Sequence, residues 1–406
     1  MASVLCAVPA CGSSTTASSS AAADTLLVAI NVPSSADPFI AGYIKRGAEL
    51  AARELSRDGV VINGHRYTVT LRVYDDALDP QRATSNVSAA IHDGAVGIVE
   101  DGFGAALSAS HSAAAGVPEI IISNGDAGLL NDHPSLFRLG IADDAAATVL
   151  GGYIAKKAQS VAIIHDDTAY GRDGADQLTK ALATASATVP VNKEVPASAP
   201  AVDAELRAAS DAHVAGLAVW GGDAFTARVV AAAHADGIGV PVFSGPAGES
   251  TTVRKVAGAA AAEGLVFAAS RMASESDSAS FGQFEHRLAS AEGGPTDAGF
   301  KDAEGREIRQ PADYDMFSYD AVRVLCAALQ KSGSASPGSA LLTAMTQASV
   351  TSANGDHRGF NPDNHEGVAD DDIYVAVIHD MTFAPVRDES LSATLPVPDE
   401  ILANFH

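Results

Sequence analysis

The residues best placed to do chemistry lie in glycine turns at the ends of apolar runs. "EDGFGAALSAS" (100–110) follows "AVGIV" and leads into an alanine-rich, helix-prone stretch. A dinucleotide cradle needs a third glycine and no carboxylates beside the pyrophosphate; here that glycine is absent and two acidic residues precede the turn. A nucleophile elbow needs G-x-S-x-G after a strand, and the chain offers "GPAGES" (245–250) instead. The 12 histidines lack H-E-x-x-H spacing and no paired cysteine ligands accompany them; His165, in "IIHDD", has the look of a strand end. No two carboxylates can be placed at a catalytic separation. The expectation is therefore no enzyme, no metal and no cofactor, which leaves these turns as the rim of a pocket for a solute.

The elements that must position such turns are legible as alternation. "TLLVAI" precedes "AGYIKRGAELAARELS", "YTVTLRVYD" precedes "PQRATSNVSAAIHDG", "AVGIV" precedes "AALSASHSAAAG", and "PEIIIS" follows. Repeated β-α units with continuously apolar strands predict an α/β fold, a parallel sheet covered by helices on both faces. The series restarts at "VAIIHDD" (161), runs through "GLAVWGG" and "VPVFSG", and closes near "GLVFAAS". Residues 277–291 read as a helix, and the charged, Gly/Pro-rich stretch 292–312 as an exposed insertion. "DYDMFSYDAVRVLCAALQ" has a helical period that makes Cys326 a buried apolar thiol, and "DDIYVAVIHD" is a late strand.

Length and charge set the outer limits. A chain of 406 residues is expected to form two lobes, and 47% hydrophobic against 19% charged residues is ample for two cores. Fifty acidic residues against 26 basic ones give a net charge of -24, which repels nucleic acid and anionic membrane surfaces alike. No window reaches the length of apolar chain that a spanning helix needs. The leader "MASVLCAVPACGSSTTASSSAAADT" reads as export signal, cleavage site and flexible tether. Its "VPAC" resembles the lipobox of bacterial lipoproteins, which implies that Cys11 carries a lipid anchor; an unstructured terminus with an incidental cysteine is the alternative reading.

Five segments in order, "AIIHDDTAYGRDGADQL" (162–178), "VWGGDAFTARVVAAAHADG" (219–237), "VFSGPAGES" (242–250), "FSYDAVRVLCAAL" (317–329) and "HRGFNPDNHEGV" (357–368), resemble the branched-chain amino acid type of extracytoplasmic solute-binding protein that feeds ABC importers. The resemblance implies the type I periplasmic binding protein fold, two doubly wound lobes joined by three crossings near 141–145, 268–272 and 362–368. It divides the chain into a leader (1–24), a first lobe (25–143 and 271–364), a second (144–270 and 365–386) and a tail (387–406). It also implies a monomer that binds a small solute without a cofactor and docks on an ABC permease. The same fold used as a ligand sensor is the alternative, and a doubly wound enzyme a more remote one.

Carried across position by position, the resemblance puts Asp101, Gly102 and Phe103 on a first ligand loop and Ser123, Asn124, Gly125 and Asp126 on a second. In the family these loops hold the solute's carboxylate and amine through backbone groups and hydroxyls. Tyr170 would line the cleft from the second lobe, Trp220 and Asp223 lie in "VWGGD", where relatives often present aromatics, and Phe39 would occupy the entrance loop of the first strand. Each has a plainer reading: hinge or core packing for Phe39, Tyr170 and Trp220, helix N-caps for the three aspartates. Ala247 falls where amino-acid binders commonly place a glutamate for the ligand ammonium, and Glu249 could replace it only in a re-registered loop. Three aspartates and an indole around one cleft suit a cationic or donor-rich ligand such as an amine, amide or urea.

Overall fold

The computed structural model describes residues 24–270, 279–290, 305, 313–368 and 372–386. The leader with Cys11, almost all of the 292–312 insertion and the 387–406 tail lie outside the described residues.

The first sheet is built from β1 (Asp24–Val32), β2 (Val60–Ile62), β3 (His65–Asp75), β4 (Ala95–Glu100), β5 (Glu119–Ile121) and β6 (Leu136–Arg138). Their spatial order is β2-β3-β1-β4-β5-β6, parallel except for the β2-β3 hairpin. Helices α1 (Pro38–Asp58), α2 (Pro80–His92) and α3 (Ala105–Ala115) make the crossovers. The second half starts with α4 (Asp143–Lys157) and continues through β7 (Ser160–Asp166), α5 (Ala169–Thr184), β8 (Thr188–Val195), α6 (Asp203–Asp211), β9 (Gly216–Trp220), α7 (Asp223–Ala235) and β10 (Val242–Ser244). A 3-10 turn (Pro246–Glu249), α8 (Thr251–Ala257), α9 (Ala259–Ala262) and β11 (Val266–Ser270) follow.

The chain next forms α10 (Ala279–Ser290) and α11 (Asp313–Ser332), which pack on α1, then α12 (Ser339–Met345) and the small hairpin β12 (Ser349–Thr351) and β13 (His357–Gly359). It ends with β14 (Ile373–His379) and β15 (Thr382–Pro385), antiparallel additions to the edge of the second sheet, whose order is β15-β14-β11-β10-β9-β7-β8. The α/β fold of two doubly wound, parallel-rich sheets is therefore the one the alternation predicts. The late strand joins the second sheet and the late helices cover the first, so the chain passes between lobes three times.

Both sheets have a switch point, where successive strands are added on opposite sides: between β1 and β4 in one and between β7 and β9 in the other. Loops beyond the carboxyl ends of these strands splay apart and open a crevice, which is where solutes settle in such sheets. "EDGFGAA" is the loop after β4, beside the loop after β1, and it is tied to the end of β1 itself by the Asp101 N–H on the Asn31 carbonyl at 3.3 Å.

Local chemistry fixes the elements that face this crevice. Pro38 opens α1, and Asp37 Oδ1 accepts from the Ile40 N–H at 3.1 Å, the pairing that favours a helix start. Arg46 then makes two hydrogen bonds to Asp315, at 2.7 and 2.6 Å, and so holds α11 against α1 with its first residues over the crevice.

Candidate ligand-binding cleft

Between the sheets lies a cavity of about 560 Å³, within the ordinary size of a small-molecule site. Gly102 and Phe103 of the first loop line it, with Ser123, Asn124, Gly125 and Asp126 of the second; Tyr170, Asp223 and Ala247 reach it from the other lobe. The sequence thus named many of the residues that converge. Phe39 belongs to the first turn of α1, but its side chain lies outside the described residues.

Two expected ligand contacts are not at the surface of the cavity. Trp220 is 0% exposed and does not line it: the indole is wedged between Gly174 and Gly245, where a Cβ on Gly174 would come within 1.9 Å of its Nε1. It is a core side chain on which Tyr170 rests, ring centroids 6.3 Å apart, rather than a platform for the solute. Asp101 is likewise fully buried, and its Oδ1 accepts from the Phe103 N–H at 3.1 Å. It shapes the first loop from behind, and burial raises its carboxyl to about 7.

None of the three aspartates is a helix N-cap. Gly104 caps α3, Gly222 caps α7, and Asp126 folds a turn by accepting from the Gly128 N–H at 2.8 Å. Asp223 is the first residue of α7; it accepts from the Ser250 hydroxyl, and burial raises it to about 6. Gly102 has φ +98, a left-handed conformation that a side chain would strain. Gly125 is dictated by space: a Cβ there would lie 2.5 Å from Asp143 Oδ1.

Sequence reasoning missed several lining residues. Asp143, at the start of α4, sends its N–H to the Gly125 carbonyl at 2.7 Å, and burial holds its carboxyl well above the usual range even with Arg138 nearby. Asp313, Tyr314 and Phe317 descend from α11, with no signal in sequence to tell them from the rest of an amphipathic helix. Glu249 needs no re-registered loop: the tight 3-10 turn that begins at Pro246 brings it to the same cavity as Ala247. Only 7% of it is exposed, its Oε1 has no hydrogen-bond partner, and burial raises it to about 7.

The cavity lining therefore includes five carboxylates, Asp126, Asp143, Asp223, Glu249 and Asp313, and among its described residues no Lys, Arg or His. Arg138, buried beneath the second loop, is fully occupied: its Nε bonds Glu366 at 2.8 Å, and one terminal nitrogen bonds the carbonyls of Asp126 and Asn124 at 2.8 and 3.1 Å. It clamps the loop to the crossing segment. Several backbone donors of the two loops are also spent internally, Ser123 and Asn124 on the Asp101 carbonyl and Asp126 on Asn124 Oδ1. An anionic solute finds few donors here, and a cation finds many acceptors. Among the described residues no group of three or more His, Cys, Asp or Glu side chains could hold a metal ion.

Residues 30–387 match the periplasmic binding protein family. The chain belongs to that family. Its members are solute-binding proteins rather than enzymes, and the family implies an extracytoplasmic location. A Leu/Ile/Val-binding protein homolog of Brucella abortus is 33% identical over 169 residues, which span 39% of this chain and only 43% of the relative. The branched-chain amino acid transporter substrate-binding protein LivJ of Streptococcus pneumoniae, in complex with isoleucine, superposes with a TM-score of 0.75 at 18% identity over 89% of this chain and 99% of its own. A solute-binding protein of an ABC transporter from Rhodopseudomonas palustris, in complex with 3,4-dihydroxybenzoic acid, gives 0.70 at 20% identity over 88% and 93%. At those identities the likeness is one of fold; the solute has to be read from this chain's own cleft.

Proposed function

We propose that this periplasmic binding protein captures a small, nitrogen-bearing polar solute between its lobes, as a monomer, and delivers it to an ABC importer permease. A lipid on Cys11 holds it at the outer face of the membrane. The observation that carries the reading is the cavity itself, lined from both lobes by carboxylates and aromatic rings and, among the described residues, by no basic side chain. A solute that touches both lobes binds the closed arrangement better than the open one and shifts the equilibrium toward closure, which is the signal a permease can read. The relatives named above bind an amino acid or an aromatic acid; the spent loop donors and the surplus of carboxylates favour amines, amides or ureas over either.

Thermal unfolding across a panel of aliphatic amino acids, amides, ureas, amines, nucleosides and aromatic acids tests this. A ligand at about 100 times its Kd adds roughly 2.7 kcal/mol to stability. Nitrogen-rich solutes are expected to give the shift, and Asp223→Ala to reduce affinity at least about tenfold. A shift from aromatic acids alone, indifferent to Asp223, overturns the reading.

A further inference from the structure

The five carboxylates are not spread evenly through the cleft. Asp126 and Asp143 belong to one group, on the second loop and the head of α4, where the electrostatic neighbours of Asp143 are Arg138, Asp173, Asp126 and Asp144. Asp223, Glu249 and Asp313 belong to another: Glu249 feels Arg254 and Asp223, and Asp313 feels Glu249. A side recess of about 40 Å³ is lined by Asp223 and Glu249 with Asp37 and Tyr314, and by no member of the first group. Tyr170 feels both groups, Asp143 from one and Asp223 from the other, and its neighbour Tyr314 faces the second.

The cleft thus has two acidic ends with aromatic rings between them. Unpartnered oxygens face it from both: Asp143 Oδ2 at one end and Glu249 Oε1 at the other, on side chains 1% and 7% exposed. A buried carboxylate without a partner is costly, and the cost is relieved by holding a proton or by a donor that arrives with the solute. One ammonium can relieve one end. The walls between, with Ile141, Phe103 and Phe317, suit methylene groups, and ring faces attract the polarised carbons beside an ammonium.

Resting on the reading of this cleft as the solute site, we infer that the ligand carries two cationic nitrogens joined by an apolar linker, one held by Asp126 and Asp143 and the other by Asp223, Glu249 and Asp313. Such a diamine has no carboxylate to leave unpaired among the spent loop donors, and its length has to match the span between the ends.

The test is calorimetric titration of the full chain with linear α,ω-diamines from butane-1,4-diamine to octane-1,8-diamine, each beside the monoamine of equal chain length, and with L-leucine and benzoate as controls. One diamine length is expected to bind at least about tenfold tighter than its monoamine. Asp143→Asn and Glu249→Gln should each reduce that diamine to roughly the affinity of the monoamine. The wild-type comparison does not depend on either variant folding. Equal affinity for diamines and monoamines at every length, or binding of leucine or benzoate without any diamine, overturns the two-ended ligand while leaving the cleft as the solute site. If no amine, amino acid or acid binds, the cleft reading fails with it.

Discussion

Glu249→Gln separates a carboxylate waiting for a cation from one already paired within the protein. The nearest guanidinium, Arg254, donates from its terminal nitrogens to the carbonyls of Met381 and Glu249 at 2.8 and 3.1 Å, and its charge only partly offsets the desolvation of the Glu249 carboxyl. Burial raises it from its ordinary value of 4.5 to about 7. In the unfolded chain the proton leaves near the ordinary value, whereas the folded chain keeps it until about 7. The unfolded state is therefore increasingly favoured as pH rises across that window. The stability due to this group is fully present below the lower value and lost as pH passes the upper one. A shift of this size, at about 1.4 kcal/mol per unit, amounts to roughly 3 kcal/mol. Since Gln cannot ionise, the ligand-free variant should gain about 3 kcal/mol over wild type between about pH 4.5 and about pH 8. Urea unfolding of both proteins at those two values reads the difference and cancels whatever the buried amide itself costs. An effect independent of pH, or a variant that becomes relatively less stable at the higher pH, would refute the reasoning and show Glu249 paired with Arg254.

Three other substitutions probe the frame of the cleft. Trp220→Ala should destabilise the chain by about 3–5 kcal/mol, as for any large core side chain, and Trp220→Phe should keep solute affinity within about threefold; denaturant unfolding and titration measure the two. Gly125→Ala forces a Cβ to within 2.5 Å of Asp143 Oδ1 and 2.7 Å of the Ile141 carbonyl, so it should cost about 1–3 kcal/mol and weaken binding as well. Arg138→Met leaves Glu366 and two loop carbonyls without their donor and should cost about 3–5 kcal/mol, with faster amide exchange at 123–126 as the local readout.

The fold was legible because its strands are apolar runs and its helices have a clear period, so β1, β4, β7, β9 and β11 stand out from the neighbouring polar turns. The short β6 and the alternating β8, "TVPVNKEV" at the sheet edge, carry weaker signals and went unread. For the cleft, turns after apolar strands pointed to the two loops and to Tyr170 and Asp223, because backbone geometry puts such turns at a switch point. Depth was not legible. Trp220 ends a strand like a ligand platform, and only the packing of Gly174 and Gly245 around it shows the indole turned into the core. Asp313 and Tyr314 come from a segment distant in sequence, and their place depends on Arg46 holding α11 to α1. Glu249 shows how a 3-10 turn rather than an extended loop changes which residue reaches a cavity.

The central claim is that one solute is gripped by both lobes at once. Hydrogen–deuterium exchange of the full chain, with and without the solute that stabilises it most in the unfolding panel, measures this directly. The account predicts slowed exchange together at 102–106 and 123–126 in one lobe and at 169–171 and 246–250 in the other. Protection confined to one lobe, or found only away from these loops, would contradict it.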